Sequence, residues 1–245
     1  MKTITYPLIK LIQSLKQKKI RHQHGLYWVE GLRNVNSLIQ AKSKIKCLIV
    51  SDAAIKDQVT RHNSFDIYNI KERDIGRIKA TSTFPGIGAV VFMPESRPLK
   101  ASTIMLLDGI NDPGNLGTII RSSCWFGVFD FILTAKTADP FNEKCVRASM
   151  GAVASANFIL SQNIEEEVQK LKKKGYVLIT TDLSGEGLPL DYPEKKIIVF
   201  GNEANGISKE ILKLSDLKVK IPGASKIESL NVAVASGIIL FSQFR

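Results

Sequence analysis

IPGASKIESLNVAVASGIILF, residues 221–241, leaves a predicted strand, turns at Pro222-Gly223 and enters a helix predicted over Ser229–Phe244. That helix is apolar on almost every side, so it has to be enclosed by the core of its own chain or by another subunit. Ser229 and Asn231 are the polar exceptions at its start, and a buried polar group without a partner costs about 1–3 kcal/mol. Either the protein backbone or a ligand must therefore satisfy them.

Upstream of this segment, the second half of the chain alternates apolar strands with helices. Strands are predicted at Ile104–Asp108, Phe129–Thr134, Tyr176–Asp182, Lys196–Gly201 and Leu217–Ile221. Helices are predicted at Asn115–Phe126, Asn142–Met150, Ile164–Lys174 and Ser208–Leu214. This alternation predicts an α/β fold with a parallel sheet covered on both faces. Such sheets bind ligands outside the carboxyl ends of their strands, so we expect a site in the loops there.

The loop in LLDGINDPGNLGTIIRSS, residues 106–123, follows the first of these strands. A turn at Asp112-Pro113-Gly114 leads into a helix that Asn115 can cap, and Arg121 lies about two turns further along. Taken alone, a helix cap and a solvated arginine explain this pattern better than a ligand site.

The loop in IIVFGNEANGIS, residues 197–208, follows a fully apolar strand that runs into Gly201. Glu203 and Gly206 shape the loop, and Ser208 is predicted to cap the next helix. A glycine at a strand end allows close approach of the backbone to a ligand, but it equally fits a turn with positive φ. Alone, this loop favours neither interpretation.

The first hundred residues form a smaller α/β pattern. Apolar residues have helical spacing in Leu8–Leu15 and Leu32–Ile39, and strands are predicted at Ile45–Val50, Phe65–Ile70 and Ile87–Met93. In the segment MPESRPLKAST, residues 93–103, two prolines stand among charged and small residues, which is typical of a domain boundary. We therefore expect one domain at residues 1–97 and a second at residues 103–245.

The positive charge is concentrated in the first of these domains. The chain carries a formal net charge of +11, with 18 basic and 7 acidic residues in residues 1–100 against 16 of each in residues 101–245. Residues 1–46 alone hold ten basic residues and one acidic residue, Glu30. Such a concentration attracts polyphosphate chains, although a basic surface without a ligand is as consistent with the composition and an acidic membrane is less so.

Several other classes are excluded or disfavoured. The chain has no P-loop, GxSxG or HExxH motif, and its three cysteines, without CxxC spacing, predict reduced thiols and no zinc site. His22 and His24 lack carboxylate or cysteine neighbours, so we expect no bound metal. No apolar run is long enough to span a bilayer, and the N-terminal sequence is unlike a signal peptide. We expect a cytoplasmic protein without a membrane partner.

Together, the three segments at the strand ends are similar to the ordered motifs of the SPOUT superfamily, in its SpoU/TrmH group of RNA 2′-O-ribose methyltransferases. The matching residues are Asn115, Gly117 and Arg121 for NxGxxxR, Gly201, Glu203 and Gly206 for GxExxG, and Ile221-Pro222 with Ser229–Ala235 for the third motif. KCVRASMGA, residues 144–152, is similar to the family's linker helix, and residues 17–31 resemble its substrate-binding domain. The chain departs from the family pattern at Gly223-Ala224, after Ile221-Pro222, where many relatives carry a methionine.

The resemblance implies a C-terminal SPOUT domain with a deep trefoil knot, preceded by a small α/β RNA-binding domain, in a homodimer. It also implies S-adenosylmethionine as cofactor and methyl transfer to a ribose 2′-hydroxyl. The cofactor contacts it implies are Gly201, Ile221 and Leu230. The residues it places around the reacting ribose are Asn115, Arg121, Glu203, Ser229 and Asn231.

Arg121 is the residue that the resemblance offers as base or activator. A guanidinium has a pKa above about 12 and stays protonated, so we expect Arg121 to orient the hydroxyl or to stabilise its oxyanion. Asn231 and Ser229 would fix geometry by hydrogen bonds, which is effective in a displacement that needs alignment.

The basic first domain is expected to bind RNA through Lys18, Lys19, Arg21 and Arg33. Tyr27 and Trp28 could stack on bases, although packing in the core explains them at least as well. Ribosomal RNA is the favoured substrate and transfer RNA the second. The alternatives are an inactive RNA-binding homodimer and an enzyme that methylates a base.

Overall fold

A computed structural model describes residues 2–51, 65–182, 184–224 and 229–243. The strands are β1 (Lys2–Thr3), β2 (Leu26–Glu30), β3 (Ile45–Val50), β4 (Ile67–Asn69), β5 (Ile87–Phe92), β6 (Thr103–Asp108), β7 (Asp130–Leu133), β8 (Asn157–Leu160), β9 (Val177–Thr181), β10 (Lys196–Gly201) and β11 (Leu217–Val219). The helices are α1 (Tyr6–Ser14), α2 (Lys18–His24), α3 (Leu32–Gln40), α4 (Glu72–Ile78), α5 (Pro113–Trp125), α6 (Glu143–Ala148), α7 (Ile164–Lys172), α8 (Lys209–Leu212) and α9 (Val232–Ser242).

The chain divides into two compact units. The first contains Met1–Pro94 together with Asp139–Ser155, and the second contains Glu95–Ala138 and Ala156–Arg245. The chain thus leaves the second unit, adds α6 to the first, and returns. One contact that holds this segment in the first unit joins Tyr27 and Phe141, whose ring centroids lie 5.0 Å apart. The domain bounds 1–97 and 103–245 stay a prediction, to which the structure adds the placement of residues 139–155.

The first unit is built on a mixed sheet in the order β1-β4-β3-β5-β2, in which β5 runs antiparallel to β2 and β3. Tyr27 and Trp28 on β2 are buried, with exposed fractions of 0% and 5%. Of the two interpretations for this pair, the structure supports core packing. Gly88 on β5 makes room for the indole, because a Cβ there would lie 2.2 Å from the Trp28 ring.

The second unit is built on a sheet in the order β11-β9-β10-β6-β7-β8, and every neighbouring pair is parallel. The predicted strands of this half are present, each shortened or extended by at most two residues at an end. Strand β8, Asn157–Leu160, was not predicted. On one face of the sheet, apolar residues of α7 and α8 pack on β6 and β10.

Two helix starts differ from the prediction. Helix α5 is capped by Asp112, whose carboxylate accepts hydrogen bonds from the backbone of Gly114 and Asn115 at 2.7 and 2.9 Å, so the predicted Asn115 cap is wrong. Pro113 favours this start because proline suits the first helical position. Helix α9 begins at Val232 and not at Ser229, since the Asn231 carboxamide oxygen caps it. The last residue of the predicted helix, Phe244, lies outside the described residues.

Within the described ranges, none of the helices combines the length and the apolar character that a membrane crossing needs. All three cysteines are free thiols, and two of them are buried.

We expect these thiols to resist modification in the native protein. Burial raises the pKa of Cys47 to about 11 and that of Cys124 to about 12, and it raises the pKa of Cys145 as well. The thiolate is the reactive form of a cysteine. At pH 8 we therefore expect a disulfide reagent to react quickly with less than one equivalent of thiol per native chain, and with all three thiols of the denatured chain. Fast reaction of a native thiol would contradict this.

The same shifts give a pH dependence of stability. The folded-state pKa values lie above the unfolded value of about 8.5, so the folded state holds the thiol protons more tightly. This contribution is complete below pH 8.5 and is lost as pH rises toward 11–12.

Candidate active site at the strand ends

The carboxyl ends of β6 and β10 are locked together by their own loops. Asp108 and Gly201 are register partners at the last position of the two strands. The Asp108 carboxylate accepts a hydrogen bond from the Ser208 backbone at 2.8 Å, and the Asn202 carboxamide donates one to the Gly109 carbonyl at 2.8 Å. Sequence reasoning did not single out Asp108 or Asn202, although both stand beside residues that it did.

A chain of side-chain hydrogen bonds joins the three predicted motifs. The carboxamide nitrogen of Asn115 donates to Glu203 Oε1 at 2.8 Å, and that of Asn231 donates to the carboxamide oxygen of Asn115 at 3.1 Å. The oxygen of Asn231 remains on the backbone of Ala233, at the start of α9. Asn231 thus caps its own helix and contacts a second loop at once, which holds the loops after β6, β10 and β11 in a fixed arrangement.

Gly201 is required by the loop that follows it. A Cβ at this position would lie 2.3 Å from the carbonyl carbon of Gly206 and from the nitrogen of Ile207, so any side chain would overlap the backbone. Two hydrogen bonds of 2.9 Å between Asn202 and Gly206 close the turn, and Gly206 adopts a φ of 67° that suits glycine. The glycines of the GxExxG motif therefore place Glu203 beside Asn115.

Ile221 and Leu230 flank the part of the third loop that lies outside the described residues. Ile221 is half-buried and Leu230 is 49% exposed. Within the described parts of the chain, neither backbone N–H has a hydrogen-bond partner, and the exposed hydroxyl of Ser229 has none. These are donor groups that a ligand can use.

Arg121 lies apart from the hydrogen-bonded chain. It is exposed on α5, six residues after Asn115, which places it about 9 Å along the helix axis and a third of a turn around it. Among the described residues, no hydrogen bond or ion pair reaches its guanidinium. The structure thus brings together Asn115, Glu203 and Asn231, and leaves Arg121 directed to solvent.

The predicted RNA contacts also fall into two groups, three that are exposed and one that is buried. Lys18, Lys19 and Arg33 are exposed in the first unit. Arg21 is only 3% exposed and its guanidinium is taken up by the Asp139 carboxylate and by two backbone carbonyls, so its prediction as an RNA contact is wrong.

Comparison with known proteins identifies the family. The model described as the SpoU rRNA Methylase family matches residues 102–241, and the model of an MRM3-like substrate binding domain matches residues 6–89. The chain is similar to the 23S rRNA (guanosine(2553)-2′-O)-methyltransferase RlmP of Bacillus subtilis, with 29% identity over 235 residues that cover 95% of this chain and 94% of that protein.

Two solved structures with bound S-adenosylmethionine (AdoMet) are similar over almost their whole length. An AdoMet-bound rRNA methyltransferase from Sinorhizobium meliloti has a TM-score of 0.84 and 29% identity, covering 99% of this chain and 96% of that one. The SpoU methyltransferase AviRb from Streptomyces viridochromogenes, in complex with AdoMet, has a TM-score of 0.86 and 25% identity, covering 98% and 97%.

These comparisons confirm the predicted family, the α/β fold with a parallel C-terminal sheet, and the class of enzyme, an RNA 2′-O-methyltransferase that depends on S-adenosylmethionine. The knot and the homodimer stay predictions. The chain belongs to the SpoU rRNA methylase family.

Proposed function

We propose that this protein, as a knotted cytoplasmic homodimer, methylates a ribose 2′-hydroxyl of ribosomal RNA at the loops after β6, β10 and β11. The observation that carries the proposal is the hydrogen-bonded chain from Glu203 through Asn115 to Asn231. It ties together three motifs that are far apart in sequence, at the sheet edge where parallel α/β folds bind their ligands.

The cofactor would be held by Gly201, Ile221 and Leu230. The fit rests on the donors described above, because the backbone N–H groups of Ile221 and Leu230, which have no partner among the described residues, can donate to the polar groups of a nucleoside. When bound, S-adenosylmethionine supplies the methyl group of its sulfonium. The backbone donors bind it without presenting a charged side chain to the cation.

The remaining residues act on the ribose. Asn115 and Asn231 are held by each other and by Glu203, so their free hydrogen-bonding positions are fixed before the substrate arrives. Ser229 adds a hydroxyl two residues before the cap of α9. Arg121 stabilises the negative charge that develops on the 2′-oxygen as the hydroxyl loses its proton to solvent, so that more of the nucleophilic form is present.

The homodimer is supported by the exposed side of α9. This helix carries serines as its polar side chains, yet Val234 is 52% exposed. An apolar helix of this kind needs a covering surface, and a second copy of the chain supplies one.

Ribosomal RNA is favoured by two observations. The similar RlmP acts on 23S rRNA according to its name, and the first unit presents Lys18, Lys19 and Arg33 to solvent. Basic side chains of this kind bind phosphates and make the affinity fall with salt.

Transfer of tritiated methyl groups tests the proposal. Ribosomal RNA and tRNA from cells with and without the gene are incubated with the full-length protein and labelled S-adenosylmethionine. We expect label only in ribosomal RNA from the cells that lack the gene, in a dinucleotide that resists alkaline cleavage because its 2′-oxygen is methylated.

Each other outcome overturns part of the proposal. Label in tRNA alone would make this a tRNA methyltransferase, and label that alkaline cleavage releases would assign the methyl group to a base. Binding of S-adenosylmethionine and RNA without any label would favour the inactive RNA-binding homodimer.

A further inference from the structure

An open groove runs along the first unit between α1 and the end of α2. It is shallow and widely open to solvent, with a volume of about 530 Å³. The residues that line it are Pro7, Lys10, Leu11, Gln13, Ser14, Gln17 and His24. None of them is acidic.

Polar residues follow one side of the groove at helical spacing. Lys10 and Gln13 line the groove from one face of α1, and Gln17, directly before α2, continues the same row. Tyr6 lies on that face one turn before Lys10, at the end of the row and outside the groove lining. All four are exposed, whereas Ile9 and Ile12 on the other face enter the core.

The tyrosine at the end of the row is 56% exposed. Lys10 Nζ lies over one face of its ring, 4.8 Å from the centroid, so the cation occupies this face and a base would stack on the other. Within the described residues, the side chains of Gln13, Gln17 and His24 have no hydrogen-bond partner. The row and His24, across the groove, therefore offer an aromatic face, a cation and unsatisfied amide and imidazole groups.

We propose that this groove binds unpaired bases of the substrate RNA, with Tyr6 stacked on a base and Lys10 on a phosphate. Gln13, Gln17 and His24 contact base edges. Single-stranded RNA is recognised by aromatic side chains that stack on its bases and by polar groups that meet the exposed edges, and the groove carries both.

The surrounding charge favours RNA over a protein partner. Nine of the ten basic residues in residues 1–46 are exposed, Arg21 being buried against Asp139, and the one acid, Glu30, is buried on the Trp28 indole. The inference rests on the proposed function, since it assigns to the first unit the part of the substrate that is bound away from the methylated ribose.

Equilibrium binding of the full-length protein to a fluorescein-labelled single-stranded RNA of twelve nucleotides tests the groove. We expect Tyr6→Ala to weaken binding by about tenfold and Tyr6→Phe, which keeps the ring, by less than about threefold. Lys10→Gln should weaken binding and reduce the slope of log affinity against log salt by about one. Lys71→Gln is the matched control, since it removes another exposed charge of the first unit outside the groove and should leave affinity within about twofold.

Two results would overturn the proposal. One is wild-type affinity in both Tyr6→Ala and the double variant Gln13→Ala/Gln17→Ala, which removes side chains that contribute nothing to the described packing. The other is an equal loss in Lys10→Gln and Lys71→Gln, which would mean diffuse electrostatic attraction. Affinity for S-adenosylmethionine, measured by calorimetry, should be unchanged in every variant. A failure of methyl transfer in the wild-type protein would instead count against the proposed function and leave these affinities measurable.

Discussion

Replacing Arg121 with alanine is expected to lower the rate of methyl transfer to RNA by about 10²–10³-fold, the usual cost of removing a group that stabilises developing negative charge. The thermal midpoint should stay within about 1 °C, because the side chain is exposed and makes no hydrogen bond or ion pair within the described residues. Affinity for S-adenosylmethionine should also be unchanged, since the proposed cofactor contacts come from other loops. Single-turnover transfer of a labelled methyl group measures the effect.

Two further variants separate a specific role from a general loss of charge. Arg121→Lys keeps the positive charge but loses the planar, bidentate donor, so we expect at least a tenfold slower reaction. Arg97→Ala removes an exposed arginine elsewhere in the second unit and should react normally. Near-normal rates for Arg121→Lys across pH would be incompatible with a specific role of the guanidinium. A slow reaction of Arg97→Ala would mean that the loss of any positive charge explains the effect.

The fold of the second unit was largely predictable because its two central strands, β6 and β10, are buried along almost their whole length. Ile104–Leu107 and Ile197–Phe200 are apolar at every position, which is typical of the central strands of a parallel sheet, and both are completely covered. The helix ends were harder to predict, since several residues at each start are able to cap. Asp112 and Asn115 both suit the role, and only the position of Pro113 decides between them.

The site was predictable as a set of residues and not as an arrangement. Asn115, Glu203 and Asn231 belong to sequence motifs, but their hydrogen bonds depend on how three loops meet, which local periodicity does not encode. Asn231 shows the limit most clearly, because one carboxamide is both a helix cap and a contact to another loop. Asn202 went unnoticed because asparagine is common in turns and nothing in the sequence links it to Gly109.

Arg21 was assigned to RNA because it stands in a run of exposed basic residues, between Lys19 and His22. Its partner, Asp139, lies 118 positions away, and no pattern along the chain connects the two. Since α2 turns one face inward, a basic residue on that face has to be paired inside the protein. Charge counted along the sequence therefore overstates the charge that a partner meets.

Replacing Arg21 with methionine is expected to destabilise the first unit by about 3–5 kcal/mol, the cost of leaving one member of a buried ion pair without its partner. Both side chains are only 3% exposed. The guanidinium also donates to the carbonyls of Leu15 and Lys16 at 2.8 and 2.9 Å, so the residues after α1 lose two hydrogen bonds in the same change. Asp139 begins the segment that packs with the first unit, so its hold on that segment should weaken too.

Thermal unfolding of single and double variants decides whether pairing is the cause. At about 2–4 °C per kcal/mol, Arg21→Met should lower the transition of the first unit by roughly 6–20 °C. Asp139→Asn removes the negative charge that Arg21→Met leaves without a partner. It keeps a side-chain oxygen for the backbone N–H of Phe141, which donates to Asp139 at 3.1 Å in the wild-type protein. The double variant should therefore regain at least half of the loss, whereas additive losses would show that Arg21 and Asp139 stabilise the unit independently. Lys18→Met, an exposed change on the same helix, should shift the transition by less than about 2 °C.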